Sequence, residues 1–428
     1  MNNAISDLFA WECLDSRGRP TVGCEVRLRD GATGRAIAPA GASTGGHEAR
    51  ELRDRDDPRF DGWGVAQAVR HVTDVLLPLL IGVDADDPTA VDDALELSDP
   101  DPLFGSVGAN AVLAVSLAAT LARAESARQP LWRLLGGTRP LLPMPMINVV
   151  SGGAHAAGGL DIQDVLVVPV GATSFAEALS IAWRVRRATA ELLAERGGNP
   201  SLVADEGGLA FGPDRNEAAL ALVLDGIRRS GLVPGRDAAL AVDVAANQLW
   251  TGATYRLDAE KRQVSTDEWL AVLRTWCERY PIVSLEDVLN EDDWTGWKHA
   301  SAVLGAERQL LGDDLFATNA DRLAVGVDGD VANAVLVKPN QAGTVDRAAR
   351  VVRQAQAAGY ATVVSARSGD TEDFWLADLA VGWRAGQIKV GSTTRSERTS
   401  KWNRLLEIES RTAGHCDFAG RGALAGSA

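Results

Sequence analysis

The sequence contains few cysteines and no long apolar run. Cys13, Cys24, Cys277 and Cys416 have neither the CxxC spacing of a structural zinc site nor the density of a disulfide-stabilised fold, so we expect reduced thiols. No apolar stretch approaches the ~20 residues that a membrane-spanning helix needs. The amino terminus, MNNAISDLFAWE, has neither the basic flank nor the apolar core of a signal peptide. These absences predict a cytoplasmic protein with no membrane partner.

Positive charge is also scarce, because 43 Lys and Arg residues are outnumbered by 58 Asp and Glu residues, which gives a formal net charge of −15. A nucleic acid is therefore not expected as a partner, since phosphate backbones need a concentrated basic surface. A small anionic ligand is still compatible with this composition. A local cluster of lysine, arginine and a metal ion can oppose the charge of the whole chain.

The second half of the chain contains a series of short apolar runs, each of which ends in one charged residue. The runs are LAVD at Asp243, VSLE at Glu286, LLGD at Asp313, AVLVK at Lys338 and QIK at Lys389. Such runs are typical of buried parallel strands. Each interval suits one βα unit except the last, which suits two with the strand TVVSARS between them. Strands of this kind close into a barrel, and the charged residues would converge at its C-terminal face.

The length favours two domains, because 428 residues fit a barrel of about 250 residues with a smaller partner. We place an α+β domain at residues 1–137, where strand-like DSRGRPTVGCEVRL precedes helical segments such as residues 107–127. The barrel domain is placed at residues 138–428, where helices such as residues 174–196 alternate with the short strands. The predicted fold class is α/β, with an N-terminal α+β domain followed by an (α/β)8 barrel.

The charged residues at the strand ends indicate metal-assisted chemistry. Asp243, Glu286 and Asp313 supply the anionic oxygens that Mg²⁺ prefers. Of the two lysines, one with a lowered pKa would remove a proton, and the other would stay charged to stabilise an anion. Loss of a proton next to a carboxylate produces a dianionic enolate-like intermediate, which needs this concentration of positive charge. Arg367 and Ser368, in SARSG, are candidate donors to an anionic head such as phosphate.

Each of these residues also has a plainer interpretation. A single Asp or Glu after an apolar run is more often a turn or helix cap than a ligand, but five charged ends together favour a site. Glu206, in DEGG, lies either in a simple turn or just after another strand, SLVA. His155, in GGAHAAGG, is either a catalytic or anion-binding side chain or part of a loop that only turns. The same choice applies to the loop GASTGG at residues 41–46.

Long motifs in a fixed order give the chain a resemblance to a known family. They are DSRGRPTV, GASTGGHEA, GANAVLAVSLA, LPMPMINVVSGGAH, DEGG, YPIVSLED, GDDLFATN, KPNQAGT, RSGDTEDFWLADLAVG and IKVGSTTRSER. Over nearly its whole length the chain resembles enolase, phosphopyruvate hydratase. The resemblance implies an N-terminal α+β capping domain on an enolase-type (α/β)8 barrel, Mg²⁺ dependence and a homodimer or larger homo-oligomer. It also implies the interconversion of 2-phosphoglycerate and phosphoenolpyruvate.

The resemblance further implies roles for individual residues. The implied metal ligands are Asp243, Glu286 and Asp313 for the catalytic ion and Ser43 for a second one. The implied catalytic and substrate-binding residues are Lys338 as the base, Lys389 on the substrate carboxylate, Glu206 at the leaving hydroxyl, His155 on a closing loop, and Arg367 with Ser368 as the phosphate clamp.

Three departures from the family pattern cluster near the expected substrate. Enolases read QEF where this chain reads QDV, so Asp164, one methylene shorter, occupies a catalytic glutamate position beside the substrate-binding candidate Gln163. Enolases read SHRSG where this chain reads SARSG, so Ala366 replaces an imidazole. Finally, KVNQIGT becomes KPNQAGT, so Pro339 and Ala342 alter the backbone and trim bulk beside the expected base.

The retained carboxylates and lysines, together with a remodelled head-group end, favour a diverged enolase homologue. It resembles the carboxyphosphonoenolpyruvate synthases of phosphonate and phosphinate natural-product pathways, whose product bears a carboxylate on phosphorus in place of one oxygen. Ala366 would open room for that carboxylate. Two alternatives stay open, namely an ordinary enolase with tolerated substitutions and a non-catalytic binding protein of enolase fold. The expected ligand is a small anion that bears phosphate or phosphonate.

Overall fold

The computed structural model describes residues 3–41, 45–156 and 159–426. The chain begins with an antiparallel sheet of strands β1 (Ile5–Leu14), β2 (Pro20–Leu28) and β3 (Thr33–Ile37). The helices that follow are α1 (Ala66–His71), α2 (Leu77–Leu80), α3 (Pro88–Glu96), α4 (Ala109–Ser126) and α5 (Leu131–Gly136). A π-helical turn, Val72–Leu76, joins α1 to α2. Sheet and helices together form the α+β capping domain that the sequence predicts.

Helix α4 is the central element of this domain and packs across β2 and β3. It confirms the helix predicted at residues 107–127, and its residues 109–119 are all buried. Gly34 in β3 lies directly beneath this helix. A Cβ atom at Gly34 would lie 2.1 Å from the carbonyl oxygen of Ala118 and 2.2 Å from the amide nitrogen of Ala122. The absence of a side chain at this position is therefore what allows the sheet and the helix to touch.

The rest of the chain forms a closed barrel. Its strands and the shorter ones around it are β4 (Leu141–Leu142), β5 (Met144–Ser151), β6 (Asp164–Val168), β7 (Leu209–Ala210), β8 (Ala239–Asp243), β9 (Tyr255–Leu257), β10 (Arg262–Val264), β11 (Ile282–Glu286), β12 (Gln309–Gly312), β13 (Ala334–Val337), β14 (Ala361–Ser365), β15 (Gln387–Gly391) and β16 (Asp417–Phe418). In the described part of the chain, β5, β6, β8 and β11 to β15 form a ring of eight strands that the pairing of β15 with β5 closes. This ring confirms the predicted barrel.

Helices alternate with the barrel strands. They are α6 (Phe175–Glu195), α7 (Glu217–Arg229), α8 (Thr266–Arg279), α9 (Trp294–Leu304), α10 (Ala320–Asp328), α11 (Pro339–Ala342), α12 (Val345–Ala357), α13 (Trp375–Gly382) and α14 (Ser396–Arg411). Helix α6 confirms the prediction at residues 174–196, and it begins where the backbone amide of Glu177 donates to the hydroxyl of Ser174 at 3.1 Å. Across the described ranges, no helix combines the length and the apolar character needed to cross a membrane.

One barrel strand departs from the parallel arrangement that the sequence suggests. Strand β6 pairs antiparallel with both β5 and β8. The described part of the loop between β5 and β6 contains only one 3-10 turn, Gly153–His155, so the chain returns along the strand that it has just left. Two helices, α6 and α7, then separate β6 from β8. An odd number of chain reversals therefore separates the two strands, and β8 runs opposite to β6 and parallel to β11.

Of the two interpretations left open for DEGG, the structure confirms the turn and shows no strand at SLVA before Glu206. Val203 makes only an isolated antiparallel bridge with Leu209, and the residues between them form a tight turn. The amide of Ala204 donates to the carbonyl of Gly208 at 2.9 Å, and Gly207 adopts a left-handed φ of 82°. Glycine adopts this conformation without steric cost, so DEGG reverses the chain instead of ending a strand.

The capping domain lies over the C-terminal mouth of the barrel. Ala40 and Gly369 form a β-bridge with amide-to-carbonyl distances of 2.7 and 2.9 Å. The amide of Ala49 donates to the carbonyl of Gln341 at 2.9 Å. Gln341 and Gly369 both follow barrel strands at their C-terminal ends. The two domains therefore meet where the charged strand ends lie.

We expect Gly34→Ala to destabilise the protein, because the added methyl group would collide with the backbone of α4, which has no rotamer by which to move away. Overpacking of this kind costs about 1–3 kcal/mol. Urea unfolding of the purified protein would measure the change in the free energy of unfolding. Gly422→Ala is the matched control, since a Cβ atom there meets no atom within 4 Å. Equal unfolding midpoints for the two variants would contradict the prediction.

Candidate active site

The structure brings the charged strand ends together at the mouth of the barrel. Asp243 and Glu286 end β8 and β11, Asp313 and Lys338 directly follow β12 and β13, and Lys389 lies in β15. The Nζ atom of Lys389 lies 2.7 Å from Oδ2 of Asp243 and 2.7 Å from both carboxylate oxygens of Glu286. The Nζ atom of Lys338 lies 2.5 Å from Oδ2 of Asp313. Lys389, the three buried carboxylates and the partly buried Lys338 thus share one small volume.

Both lysines are held in the charged form. Burial lowers the pKa of Lys389, but the carboxylates of Asp243 and Glu286 outweigh burial and raise that pKa well above its ordinary value. Burial likewise lowers the pKa of Lys338, and Asp313 reverses the direction, so the net shift is upward. The lysine with a lowered pKa that the sequence predicts is not found in this arrangement. The physical reason is the direct ion pair between Lys338 and Asp313.

Negative charge is also concentrated at the mouth of the barrel. Burial and the nearby Asp243 raise the pKa of Glu286 well above its ordinary range. Asp287, Asp313 and Asp314 each offer a ligand oxygen within 4.8 Å of the others. The backbone amides of Asp313 and Asp314 donate to the carboxylate of Asp287 at 2.9 and 2.8 Å and fix its orientation. This dense set of carboxylate oxygens fits Mg²⁺, which is a hard cation with a preference for oxygen ligands.

His155 lies between two carboxylates on one wall of the cavity. Its Nδ1 is 3.1 Å from Oδ2 of Asp164, and its Nε2 is 3.8 Å from Oε1 of Glu206. Burial alone would lower the pKa of His155, but Asp164 and Glu206 raise that pKa to about 9. The imidazole is therefore protonated at neutral pH, and both of its nitrogens act as donors.

Asp164 lies behind His155 and does not reach the centre of the cavity. Its Oδ1 accepts hydrogen bonds from the hydroxyl of Ser151, at 2.7 Å, and from the amide of Asn148, at 2.5 Å. Its Oδ2 is the partner of His155, so both carboxylate oxygens are engaged. The side chain has no solvent-exposed surface. This arrangement agrees with the shorter reach of aspartate at a position where the family carries glutamate.

Gln163 lies next to Asp164 and faces the carboxylates of the barrel. Its Nε2 donates to Oδ2 of Asp243 at 2.9 Å, and its Oε1 accepts a hydrogen bond from Gln248 at 2.7 Å. The amide group therefore orients one of the predicted metal ligands. It also lines the cavity.

Arg367, the predicted phosphate clamp, lies at the boundary between the two domains. Its Nη1 is 2.6 Å from Oε2 of Glu48 in the capping domain and 3.1 Å from Oδ1 of Asn340. Burial lowers the pKa of Arg367, but Glu48 and Asp313 reverse the shift, and the guanidinium stays charged. The clamp is thus built from both domains.

The residues beside Arg367 complete this wall. The small side chain of Ala366 and the side chain of Ser368 line the cavity. The guanidinium of Arg398, which is fully buried, donates to the carbonyl oxygens of Arg367 and Ser368 at 2.6 and 2.5 Å. Arg398 therefore fixes the backbone of the clamp. Ser43, the predicted ligand of a second metal, lies outside the described residues.

Sequence reasoning missed several residues of this site. They are Glu48, Asp287, Asp314, Asn340 and Arg398. Asp287 and Asp314 each follow a residue that was singled out, in LED and GDD, so paired acids at a strand end were an available signal. The other three residues lie within the motifs quoted for the family resemblance, but no local sequence feature reveals which residues they contact. They are Glu48, Asn340 and Arg398.

Two family models match the chain. The model described as "Enolase, N-terminal domain" matches residues 5–135. The model described as "Enolase, C-terminal TIM barrel domain" matches residues 139–426. The matches coincide with the capping domain and the barrel, whose interface carries the candidate site.

We expect the stabilising contribution of His155 to disappear at high pH. Its folded pKa, about 9, lies above the ordinary value of 6.5, so the contribution is complete below pH 6.5 and is lost as the pH rises through 9. The free energy of unfolding of wild type minus that of His155→Gln should fall by roughly 1–3 kcal/mol over this range. Urea unfolding of wild type and His155→Gln at about pH 6 and about pH 10 measures this difference.

The control for this experiment is His299→Gln, which removes an exposed histidine from α9. The difference in the free energy of unfolding between wild type and His299→Gln should change little between the two pH values. The contradicting result is a free energy of unfolding of wild type minus that of His155→Gln that is the same at both pH values. That result would show that His155 is not stabilised in its charged form.

Proposed function

Because this chain belongs to the enolase family, we propose that it removes water from a substrate of the 2-phosphoglycerate type whose phosphorus already bears a carboxylate in place of one oxygen, which gives carboxyphosphonoenolpyruvate. The chain is an enolase-superfamily enzyme, and enzymes of this family bind small phosphate substrates. The observation that carries the proposal is the position of Ala366, which lines the cavity together with Arg367 and Lys389. The proposed product belongs to phosphonate and phosphinate natural-product biosynthesis, which includes antibiotics.

The floor of the cavity supports the carboxylate end of the substrate in this proposal. Lys389 is charged and buried, so it stabilises the enolpyruvyl carboxylate. Asp243, Glu286 and Asp313 would hold Mg²⁺, and the chemistry that it supplies when bound is positive charge against the dianionic intermediate. Lys338 would take the proton at the carbon next to the carboxylate, for which it must be neutral. It would reach that form once Asp313 is engaged by the metal ion and no longer holds the lysine charged.

The head group of the substrate meets Arg367 and Ala366. The guanidinium of Arg367, oriented by Glu48 and Asn340, presents a planar set of donors that matches phosphate or carboxylate oxygens. A methyl group at position 366 occupies far less space than the imidazole of the family pattern. The space that this change opens suits a phosphorus atom that bears a carboxylate in place of one oxygen.

The opposite end of the substrate carries the hydroxyl group that leaves. We assign Glu206 and protonated His155 to this end, because a charged imidazole donates hydrogen bonds to a departing oxygen. Asp164 acts through His155 as a positioning residue, since both of its oxygens are engaged in the wall. Gln163 positions Asp243 in the same way.

An ordinary enolase is the second candidate, and the intact set of carboxylates and lysines favours it. Under this alternative the substitutions at Asp164 and Ala366 are tolerated, and dehydration of 2-phosphoglycerate to phosphoenolpyruvate is the main activity. A cytoplasmic location, a homodimeric or larger assembly and a second metal at Ser43 stay predictions.

We expect purified protein with Mg²⁺ to dehydrate 2-phosphoglycerate several orders of magnitude more slowly than an ordinary enolase. The formation of phosphoenolpyruvate is measured by its ultraviolet absorbance. Lys338→Ala is the control, and it should abolish any residual turnover because it removes the proposed base. A rate within about tenfold of the ordinary enzyme, a difference in activation free energy of only ~1.4 kcal/mol, would make the chain a plain enolase.

We expect Ala366→His to raise 2-phosphoglycerate dehydration by at least about tenfold, because the imidazole restores a proton donor beside the phosphate and fills the extra space. The kinetic parameters kcat and KM for 2-phosphoglycerate measure the change in dehydration activity. Ala342→Ile is the matched control, since it restores bulk of the family pattern beside Lys338 without adding a proton donor. No gain in Ala366→His would favour the ordinary-enolase alternative.

A further inference from the structure

A second cavity lies beside the candidate active site, on the side of the capping domain. Its volume is about 530 Å³, and the described residues that line it include six arginines and two glutamates. The arginines, which define what we call the arginine cavity, are Arg17, Arg19, Arg50, Arg53, Arg55 and Arg367. Such a surplus of positive charge is unexpected in a chain with a formal net charge of −15. Local charge opposite to that of the whole chain is a sign of an anionic ligand.

Ion pairs within the protein account for only part of this charge. Glu48 pairs with Arg367 at 2.6 Å, and Glu51 pairs with Arg53. Asp15 lies 3.8 Å from Nε of Arg17, and Asp101 lies 3.5 Å from Nη1 of Arg50. By contrast, no described carboxylate lies within 4.0 Å of the guanidinium groups of Arg19 and Arg55. These two arginines therefore contribute uncompensated charge to the cavity.

Trp63 holds these two arginines in place. The guanidinium carbon of Arg19 lies 4.2 Å from the centroid of the indole ring, and that of Arg55 lies 5.2 Å from it. Contacts of a cation with an aromatic face orient the guanidinium without neutralising it. Trp63 itself lines the cavity. The arginines are therefore positioned by the protein while their hydrogen-bond donors stay available.

Arg17 adds an electrostatic argument. Burial lowers its pKa, Asp15 opposes that shift, and the like charge of Arg19 lowers the pKa further. The Nε atom of Arg17 is buried and has no hydrogen-bond partner among the described residues. An anion in the cavity would relieve the repulsion between these neighbouring guanidinium groups.

We propose that the arginine cavity binds a phosphoryl group, in addition to the head group that meets Arg367 in the barrel. Planar guanidinium forks match phosphate oxygens in pairs, and several forks around one volume favour a group with more than one negative charge. The volume exceeds that of phosphate alone and suits a phosphate ester. Arg367 lines both this cavity and the one in the barrel, so the two sites are contiguous.

The phosphoryl group has two possible sources. It belongs either to the far end of a substrate whose near end fills the barrel cavity, or to a separate molecule that binds beside the substrate. The probes are inorganic phosphate and adenosine 5′-monophosphate, titrated by calorimetry into the full-length protein, with and without saturating phosphoenolpyruvate. Probe binding that persists with phosphoenolpyruvate present indicates a separate molecule. If phosphoenolpyruvate abolishes the binding of adenosine 5′-monophosphate but not that of inorganic phosphate, the two cavities form one continuous substrate site.

The variants Arg55→Gln and Arg19→Gln/Arg55→Gln test the arginine cavity itself. Both residues lie outside the lining of the barrel cavity, so the proposed catalytic groups are unchanged. We expect at least a tenfold weaker affinity of the double variant for both probes. Arg187→Gln is the matched control, because Arg187 also lies over a tryptophan, at 5.6 Å from the ring centroid of Trp183, but on the exposed face of helix α6.

Equal affinities of wild type, the double variant and the control would overturn the proposal, and so would an absence of binding by wild type. The single variant Arg55→Gln keeps the test valid if the double variant unfolds, because Arg55 is exposed. The readout is binding and not turnover. A failure here is therefore distinguishable from a failure of the proposed reaction, which the 2-phosphoglycerate assay measures.

Discussion

The ammonium group of Lys389 between the carboxylates of Asp243 and Glu286 is the interaction on which the barrel site depends. Each of these groups is nearly inaccessible to solvent, and a buried charge is tolerated only when it is paired and hydrogen-bonded. Loss of one partner from such a pair leaves an uncompensated charge and costs about 3–5 kcal/mol. The closure of the ring by β15 and β5 brings Lys389 to this position, so the geometry of the site and the closure of the barrel are coupled.

The same constraint explains why the charged groups of the site occur in compensating sets. Lys338 is paired with Asp313, and His155 lies between Asp164 and Glu206. Arg367 is paired with Glu48. In each set, a cation raises the free energy required to protonate its neighbouring carboxylate, and the carboxylate keeps the cation charged. A substrate with several negative charges, or a divalent cation, enters an environment that is already polarised. Little reorganisation is then needed during the reaction, which is the general basis of electrostatic catalysis.

The capping domain is part of the site and not a separate module. Glu48 reaches Arg367 across 319 residues of sequence, and the contact between Ala49 and Gln341 ties the same loop to the segment after Lys338. The arginine cavity lies along this boundary. The wall around Arg367 is therefore built from both domains, while Lys338, Lys389 and the carboxylates paired with them belong to the barrel alone.

Local patterns in the sequence determined the apolar strands, their charged ends, helices such as α4 and α6, and the family resemblance. These features were predictable because strand and helix periodicity act over a few residues. Only the tertiary structure decided that β6 runs antiparallel, that DEGG is a turn, that Asp164 lies behind His155, and that Glu48 pairs with Arg367. Each of these depends on contacts between residues far apart in the chain, or on a backbone reversal whose direction the local pattern does not encode. The raised pKa of Lys338 has the same origin, because it depends on a carboxylate from a different strand.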